Sequence, residues 1–189
     1  MKFLRNGQLP SFKAKFSRTQ KEADDLLIGA VNGNDLQWIR AALRDGASLN
    51  AKNKDGQTPL LGAAMGSDAG IVRLLLKKGA DPDLPCGGSG LTAIVGAAAV
   101  GKSKVVKMLV RYGADPDWVT DAGWTALLQA IDRGHTETVR VLLECGANPN
   151  ISGGTRGTPW MFAQRLKHQE IMDILEKAGS RKYWHVGLD

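Results

Sequence analysis

The chain has 189 residues, 43% of them hydrophobic and 23% charged, so it can bury the core of one ordinary globular domain. Its longest apolar runs, of about eight residues, are too short for a membrane-spanning helix, which needs roughly twenty. The first residues also lack the apolar run of a secretory signal, so we expect a cytoplasmic protein without a transmembrane segment. Cys86 and Cys145 lie far apart, without a Cys or His at metal-ligand spacing. This pattern favours two free thiols over a disulfide framework or a zinc site, and no cofactor is predicted.

The net charge of +6 comes from one end of the chain. Residues 1–21 contain six basic and no acidic residues, which leaves 19 of each sign in the rest. This leader is predicted to be a flexible or loosely docked extension. Being basic and containing serine, it also resembles an organellar presequence. A third alternative is direct binding of nucleic acid or of an anionic lipid surface through the leader, with no nucleic acid bound by the remainder.

Beyond the leader, the sequence repeats with a period of 33 or 34 residues. A threonine followed by proline or alanine and then by a bulky apolar residue recurs, and a glycine comes 21 residues after each threonine. The threonines are Thr58, Thr92, Thr125 and Thr158, and the glycines are Gly79, Gly113, Gly146 and Gly179. Two markers in fixed phase indicate one structural unit that is repeated along the chain.

Each unit is predicted to contain two helices. Thr-Pro is an N-cap followed by proline at the first helical position, so a helix starts after Thr58 and after Thr158. Apolar residues with i, i+3, i+4 spacing then predict a second amphipathic helix in each unit. The second helices are predicted over 71–77, 104–111, 136–143 and 169–177. Gly-Ala followed by Asp-Pro or Asn-Pro, at Gly79, Gly113 and Gly146, is predicted to end a pair of helices.

These motifs resemble ankyrin repeats. The resemblance rests on Gly56-Gln57-Thr58-Pro59-Leu60, on its counterparts that begin at Gly90, Gly123 and Gly157, and on the Gly-Ala-Asp or Gly-Ala-Asn series. It implies an all-α solenoid of about five helix-turn-helix units joined by β-hairpin-like loops. The repeat domain is predicted over 22–180, in units 22–50, 51–83, 84–117, 118–150 and 151–180, followed by a tail at 181–189. The first unit lacks Thr-Pro, as an N-terminal cap does.

One motif favours a different function. Residues 96–103 match the phosphate-loop pattern G-x-x-x-x-G-K-[ST], which favours a nucleotide-binding protein or an enzyme. The repeat register opposes this interpretation, because it places Gly96 inside a first helix and Gly101 in the turn that follows. The register therefore predicts a helix and a turn rather than a phosphate-binding loop.

Catalytic groups are not evident in the sequence. His135 lies in a turn where the resemblance implies a structural role, and neither His168 nor His185 has an obvious partner for general base catalysis. The pairs Asp81/Asp83 and Asp115/Asp117 flank prolines and are better explained by turn formation. We therefore predict that the chain is not an enzyme.

The resemblance implies a protein-interaction module, either an adaptor or an inhibitor that occludes a partner's active site, and monomeric when unbound. Ankyrin proteins bind partners mainly through the hairpin tips and first helices, which carries over to specific positions. The predicted partner-binding residues are Lys54, Asp55, Gln57, Ser89, Leu91, Trp118, Asp121, Trp124, Arg133 and Arg156. Two tryptophans at one tip predict an anchor for the partner, since tryptophan is enriched among interface hot spots. The alternative is that both rings pack on the neighbouring hairpins.

Overall fold

The computed structural model describes residues 19–66, 68–152 and 157–182. Within these ranges ten α-helices form five antiparallel pairs and no β-strand is present, which confirms the all-α repeat architecture. The first helices of the pairs form an inner row: α1 (Gln20–Asn32), α3 (Pro59–Met65), α5 (Ala93–Ala99), α7 (Ala126–Asp132) and α9 (Pro159–Arg165). The second helices form an outer row: α2 (Leu36–Arg44), α4 (Ala69–Lys77), α6 (Ser103–Arg111), α8 (Thr136–Glu144) and α10 (Gln169–Lys177).

Threonine side chains fix where the inner helices begin. The Thr58 Oγ1 accepts a hydrogen bond from the Leu61 N–H at 3.2 Å, and Thr158 does the same for Met161 at 3.3 Å. Thr125 caps α7 in the same way, as expected for N-cap residues. The hydroxyl of Thr92 is buried and has no hydrogen-bond partner among the residues that the structure describes. The predicted helix starts at Thr58 and Thr158 are therefore confirmed.

The first unit begins differently from the others. Thr19 and Glu22 form a capping box, in which each side chain accepts a hydrogen bond from the other residue's backbone N–H. Helix α1 therefore starts at Gln20 and is longer than the other inner helices. The last residues assigned to the leader, 19–21, accordingly lie in the N-cap and first turn of α1.

One continuous core runs between the two rows. Each outer helix contributes a fully or almost fully buried aliphatic side chain at its seventh position, and each inner helix contributes apolar residues facing it. The outer series is Ala42, Leu75, Leu109, Leu142 and Leu175. Because a single pair of helices cannot bury its own apolar face, stability depends on stacking of successive units. In the described residues no helix is both long and apolar enough to cross a membrane.

The loops that close the units are joined by a ladder of side-chain hydrogen bonds. The Asp83 carboxylate accepts the Asp115 N–H at 2.9 Å, and the Asp117 carboxylate accepts the Asn148 N–H at 2.8 Å. Asn50 and Asn150 accept equivalent bonds from Asp81 and Arg181. Within each loop a second polar side chain folds the turn: Asp81 and Asp115 accept the N–H groups of Asp83 and Asp117, and Ser48 and Asn148 do the same for Asn50 and Asn150. The acidic pairs therefore hold turns, as the sequence predicted.

Burial affects Asp83 as well. Desolvation raises the pKa of its carboxyl above the ordinary aspartate value, and the nearby Asp115 and Asp81 carboxylates act in the same direction. The hydrogen bond from the Asp115 backbone opposes this shift without cancelling it. The ionised Asp83 is thus held in the ladder at some cost.

The last unit closes the core at the C-terminal end. Trp160 is buried, and its indole N–H donates to Glu176 Oε1 at 3.0 Å. Lys182 pairs with the same oxygen at 2.7 Å and lies 5.5 Å from the centre of the Trp160 ring. The hydrogen bond from Lys182 is the main reason that the pKa of Glu176 lies below its usual value. These contacts cover the apolar end of the array with charged groups.

Candidate protein-interaction surface

The first hairpin presents three of the predicted residues to solvent. Lys54, Asp55 and Gln57 are exposed. The Asn53 side chain organises this tip, because its Oδ1 accepts the backbone N–H groups of Asp55 and Gln57, both at 2.9 Å. Asn53 also makes a backbone hydrogen bond at the base of the loop, where its N–H donates to the Gln57 carbonyl. The backbone of the tip is consequently fixed, and it presents two charged side chains and one amide side chain to solvent.

Backbone hydrogen bonds connect the second hairpin with its neighbours. Ser89 is exposed and Leu91 is half-buried against the core. An isolated antiparallel bridge pairs Cys86 with Leu91. The Ser89 carbonyl accepts the Asp121 N–H of the third hairpin at 3.1 Å, and Gly87 donates to Gly56 of the first hairpin at 3.0 Å. Three tips therefore form one continuous edge.

The third hairpin carries the two tryptophans, and both rings pack on neighbouring units. The Trp118 indole N–H donates to the Gly90 carbonyl of the preceding hairpin at 2.8 Å. Trp124 lies edge-on to Phe162 of the following unit, with 6.0 Å between ring centres and 68° between the planes. Both side chains are half-buried, whereas Asp121 between them is exposed. This geometry favours a packing role for both rings, and their role as a partner anchor stays a prediction.

Arg133 lies apart from the tips. It follows the last residue of α7, and its side chain is 63% exposed and 3.6 Å from the Asp132 carboxylate. A seven-residue helix separates it from the hairpin that contains Trp124, a rise of about 10 Å. Arg156, the remaining predicted residue, is outside the described residues.

Two exposed apolar side chains on the inner row were not predicted. Met65 ends α3 and is 43% exposed, and Val100 follows α5 and is 37% exposed. In the repeat register, Met65 corresponds to Asp132 and Val100 corresponds to Arg133, at the end of α7. The register contained this signal, because apolar residues stand where the next repeat is charged.

Close packing of α3 on α5 brings Met65 to this surface. A Cβ built on Gly96 would lie 2.7 Å from Leu61 Cδ1 and 3.1 Å from Met65 Cγ. Leu61 is buried, so glycine is what allows the two helices to approach this closely. The Met65 side chain therefore reaches across to Gly96 of α5, about one helical turn before Val100. We call Met65 and Val100 the inner apolar patch.

The segment that resembles a phosphate loop is helical. Gly96 lies within α5, and its N–H donates to the Thr92 carbonyl at 3.0 Å. Gly101 takes a positive φ of 72° in the turn, and Ser103 begins α6. A Cβ on Gly101 would lie 2.8 Å from His135 Nδ1, so an imidazole ring covers this turn. These backbone N–H groups do not surround a cavity for a phosphate, which confirms the register prediction for these residues.

The two described histidines connect successive units. His135 Nε2 lies 3.2 Å from the Ala99 carbonyl, and His168 packs against Gly134 as His135 packs against Gly101. This repetition gives both rings a structural role. His185 is outside the described residues.

Both cysteines are free, as the sequence predicted. Cys86 is buried, and burial raises the pKa of the half-buried Cys145 thiol above its ordinary value. A thiol that stays protonated is a poor nucleophile. The described residues contain no group of three or more His, Cys, Asp or Glu side chains arranged to hold a metal ion.

The geometry defines a class of protein: a solenoid of helical hairpins whose constant framework presents variable side chains at loop tips and helix ends. The family model for ankyrin repeats, in three copies, matches residues 26–120 and 94–183. The chain therefore belongs to the ankyrin repeat family, as its motifs predicted. Ankyrin repeats are in general protein–protein interaction modules, and the family is typically non-enzymatic. A comparison with curated proteins found no match.

Proposed function

We propose that this protein is an adaptor or an inhibitor that binds another protein through the inner apolar patch and the hairpin tips. The observation that carries the proposal is the exposure of Met65 and Val100 at adjacent helix ends of the inner row. Apolar side chains surrounded by charged residues are typical of interface cores with a polar rim. In this proposal the polar contacts come from Arg133 at the corresponding end of α7 and from the tip residues Lys54 and Asp55 at the other end of the inner helices.

The proposal assigns different roles to the predicted residues. Lys54, Asp55, Gln57, Ser89 and Asp121 contact the partner from exposed tips. Leu91, Trp118 and Trp124 support these tips from half-buried positions. The protein acts as a monomer in the cytoplasm, and no catalytic step is part of the function; a basic organellar leader is the alternative for its location.

A pair of variants tests the proposed surface. Met65→Gln with Val100→Gln removes the apolar patch while keeping side-chain size, and Leu36→Gln is the control, because Leu36 is 40% exposed on the outer row. Proteins captured by the unmodified chain and identified by mass spectrometry should be lost with the double variant and kept with the control. Capture that is equal with all three proteins contradicts the proposal.

A further inference from the structure

The outer helices carry charges that segregate along the array. Residues 36–45, 69–78 and 103–112, which are α2, α4 and α6 with their C-caps, contain eight basic residues and one acidic residue. Residues 136–145 and 169–178, which are α8 and α10 with theirs, contain two basic residues and five acidic ones. The near-neutral total of the repeat domain therefore conceals a basic half and an acidic half on one face.

The basic half is a regular array. The fifth and ninth positions of each outer helix point to solvent, one turn apart, and both are cationic in α2, α4 and α6. We call this set the basic outer patch: Arg40, Arg44, Arg73, Lys77, Lys107 and Arg111, with Lys78 and Lys104 beside it. Neighbouring helices lie about 10 Å apart, so the patch extends roughly 20 Å across three units.

The contacts in the acidic half show which chemical group pairs with a cation at the fifth position of an outer helix. Arg140 is the fifth-position cation of α8, and it lies 3.7 Å from carboxylate oxygens of Glu137 and of Glu170. Glu137 is the second residue of the same helix, and Glu170 is the second residue of the next outer helix. The fold therefore places carboxylates against a fifth-position cation from two sides.

The same two sides lack carboxylates at α4. The second residue of α4 is Gly70, and the second residue of the next outer helix is Lys104. For Lys107 of α6, the second residue of the next outer helix is Glu137, but Glu137 pairs with Arg140 instead. In the described part of the chain, Arg73, Lys77, Lys107 and Arg111 form no ion pair with a carboxylate.

Nearby carboxylates are engaged elsewhere. Asp35 and Asp68 accept backbone N–H groups at the starts of α2 and α4, at 3.0 Å and 2.6 Å. Asp45, the C-cap of α2, is the one acidic residue within the three helices and their C-caps. Arg73, at the centre of the patch, thus has no carboxylate at either of the two positions that pair with Arg140, and the one carboxylate next to Lys107, Glu137, is paired with Arg140.

We infer that the basic outer patch binds an acidic, extended segment of a partner protein. The patch matches the reach of about six extended residues at roughly 3.4 Å each, whose alternate side chains face the same side. Tyr112 is the one exposed aromatic residue on these three helices and their caps, so the stacking platform typical of single-stranded nucleic acid sites is lacking. The acidic half, on α8 and α10, repels an acidic chain and confines it to the first three units.

A labelled acidic peptide tests this inference with the full chain. The probe is a fluorescein-labelled peptide of alternating glutamate and serine, about ten residues long and so able to span the patch at roughly 3.4 Å per residue. Arg73→Glu with Lys107→Glu should weaken binding at physiological salt at least about tenfold, since two charge-assisted contacts become repulsive. Lys52→Glu with Lys167→Glu is the control: it makes the same change in net charge at two exposed residues outside the basic outer patch. Screening over about 8 Å should limit its effect to roughly threefold.

Several results would overturn the inference: no binding of the peptide, equal weakening by the two charge-reversal pairs, or tighter binding of an oligothymidylate or of phosphatidylserine vesicles. Thermal unfolding followed by circular dichroism establishes that each variant is folded. Arg73→Ala with Lys107→Ala serves as the milder variant if the glutamate pair unfolds. Peptide binding that survives both variants would assign the affinity to the leader and would also overturn the inference.

Discussion

The first three and the last two units share a framework but present opposite surfaces. On the outer row, α4 and α6 carry unpaired cations, whereas Arg140 of α8 is paired with glutamates. On the inner row, the ends of α3 and α5 expose Met65 and Val100, whereas α7 ends in Asp132 and Arg133. The core and the turn ladder continue unchanged through both regions. The comparison teaches that this fold leaves helix ends and outer helix faces free to vary, so the exposed surface differs along one uniform scaffold.

Substitutions in the inner row should give the largest difference in stability between the two regions. Gly96 of α5 corresponds to Gln129 of α7, where the neighbouring helix leaves room for a side chain. Gly96→Gln forces a side chain against buried Leu61 and should lower the free energy of unfolding by about 1–3 kcal/mol. The reverse change, Gln129→Gly, should cost about 1 kcal/mol through backbone entropy alone. Urea unfolding of both variants measures the difference, and equal costs would show that the two helix contacts are equivalent.

Charge pairing on the outer row should give a smaller effect. Arg140→Ala removes an exposed pair of contacts and should cost about 0.2–1 kcal/mol, a loss that shrinks at high salt. Arg73→Ala at the same position of α4 should be neutral to within roughly 0.5 kcal/mol. Thermal unfolding at low and high salt is the measurement. If Arg73→Ala proves the more destabilising change, the assignment of paired and unpaired halves is wrong.

The smallest effect concerns the turn ladder that both regions share. Asp83→Asn keeps an oxygen for the Asp115 N–H, and Asn50 and Asn150 already serve this role elsewhere. Because desolvation raises the pKa of Asp83, the ionised form is disfavoured in the folded state, and this destabilisation is fully present above the folded pKa. The variant should therefore be slightly more stable at pH 7, by roughly 0.5 kcal/mol or less.

This gain should disappear as the pH falls below the ordinary aspartate value of 3.8, where Asp83 is neutral in both states. Melting temperatures measured across this range follow the change. A stabilisation that persists unchanged at low pH would point to a cause other than the carboxyl charge.

The fold was predictable because its determinants are local and recur. Thr58 and Thr158 mark helix starts by capping, and Gly79 and its counterparts mark unit ends. The same register predicted that Gly96 lies in a helix rather than in a phosphate-binding loop. The start of α1 was not predicted, although Thr19 and Glu22 have capping-box spacing, because the first unit lacks the threonine marker that precedes the other inner helices.

The surface was less predictable because exposure and pairing depend on neighbours in space. The sequence does not reveal that Trp118 bonds to Gly90 or that Trp124 packs on Phe162. The exposure of Met65 depends on how its side chain packs against the neighbouring helix α5, which the sequence does not show. The net charge from residue 22 onward is zero. This total hides the segregation of basic and acidic residues, which appears only when the outer helices are compared position by position.

The turn ladder also determines how the protein responds to tension. Each of its bonds from Asn50 onward joins residues 31 or 32 positions apart, and therefore connects only successive units. A force applied between the two ends of the array loads these junctions in series, so the weakest one should separate first. Each unit that is lost releases about 100 Å of extended chain. We therefore expect the array to extend in steps whose size is set by the length of one repeat.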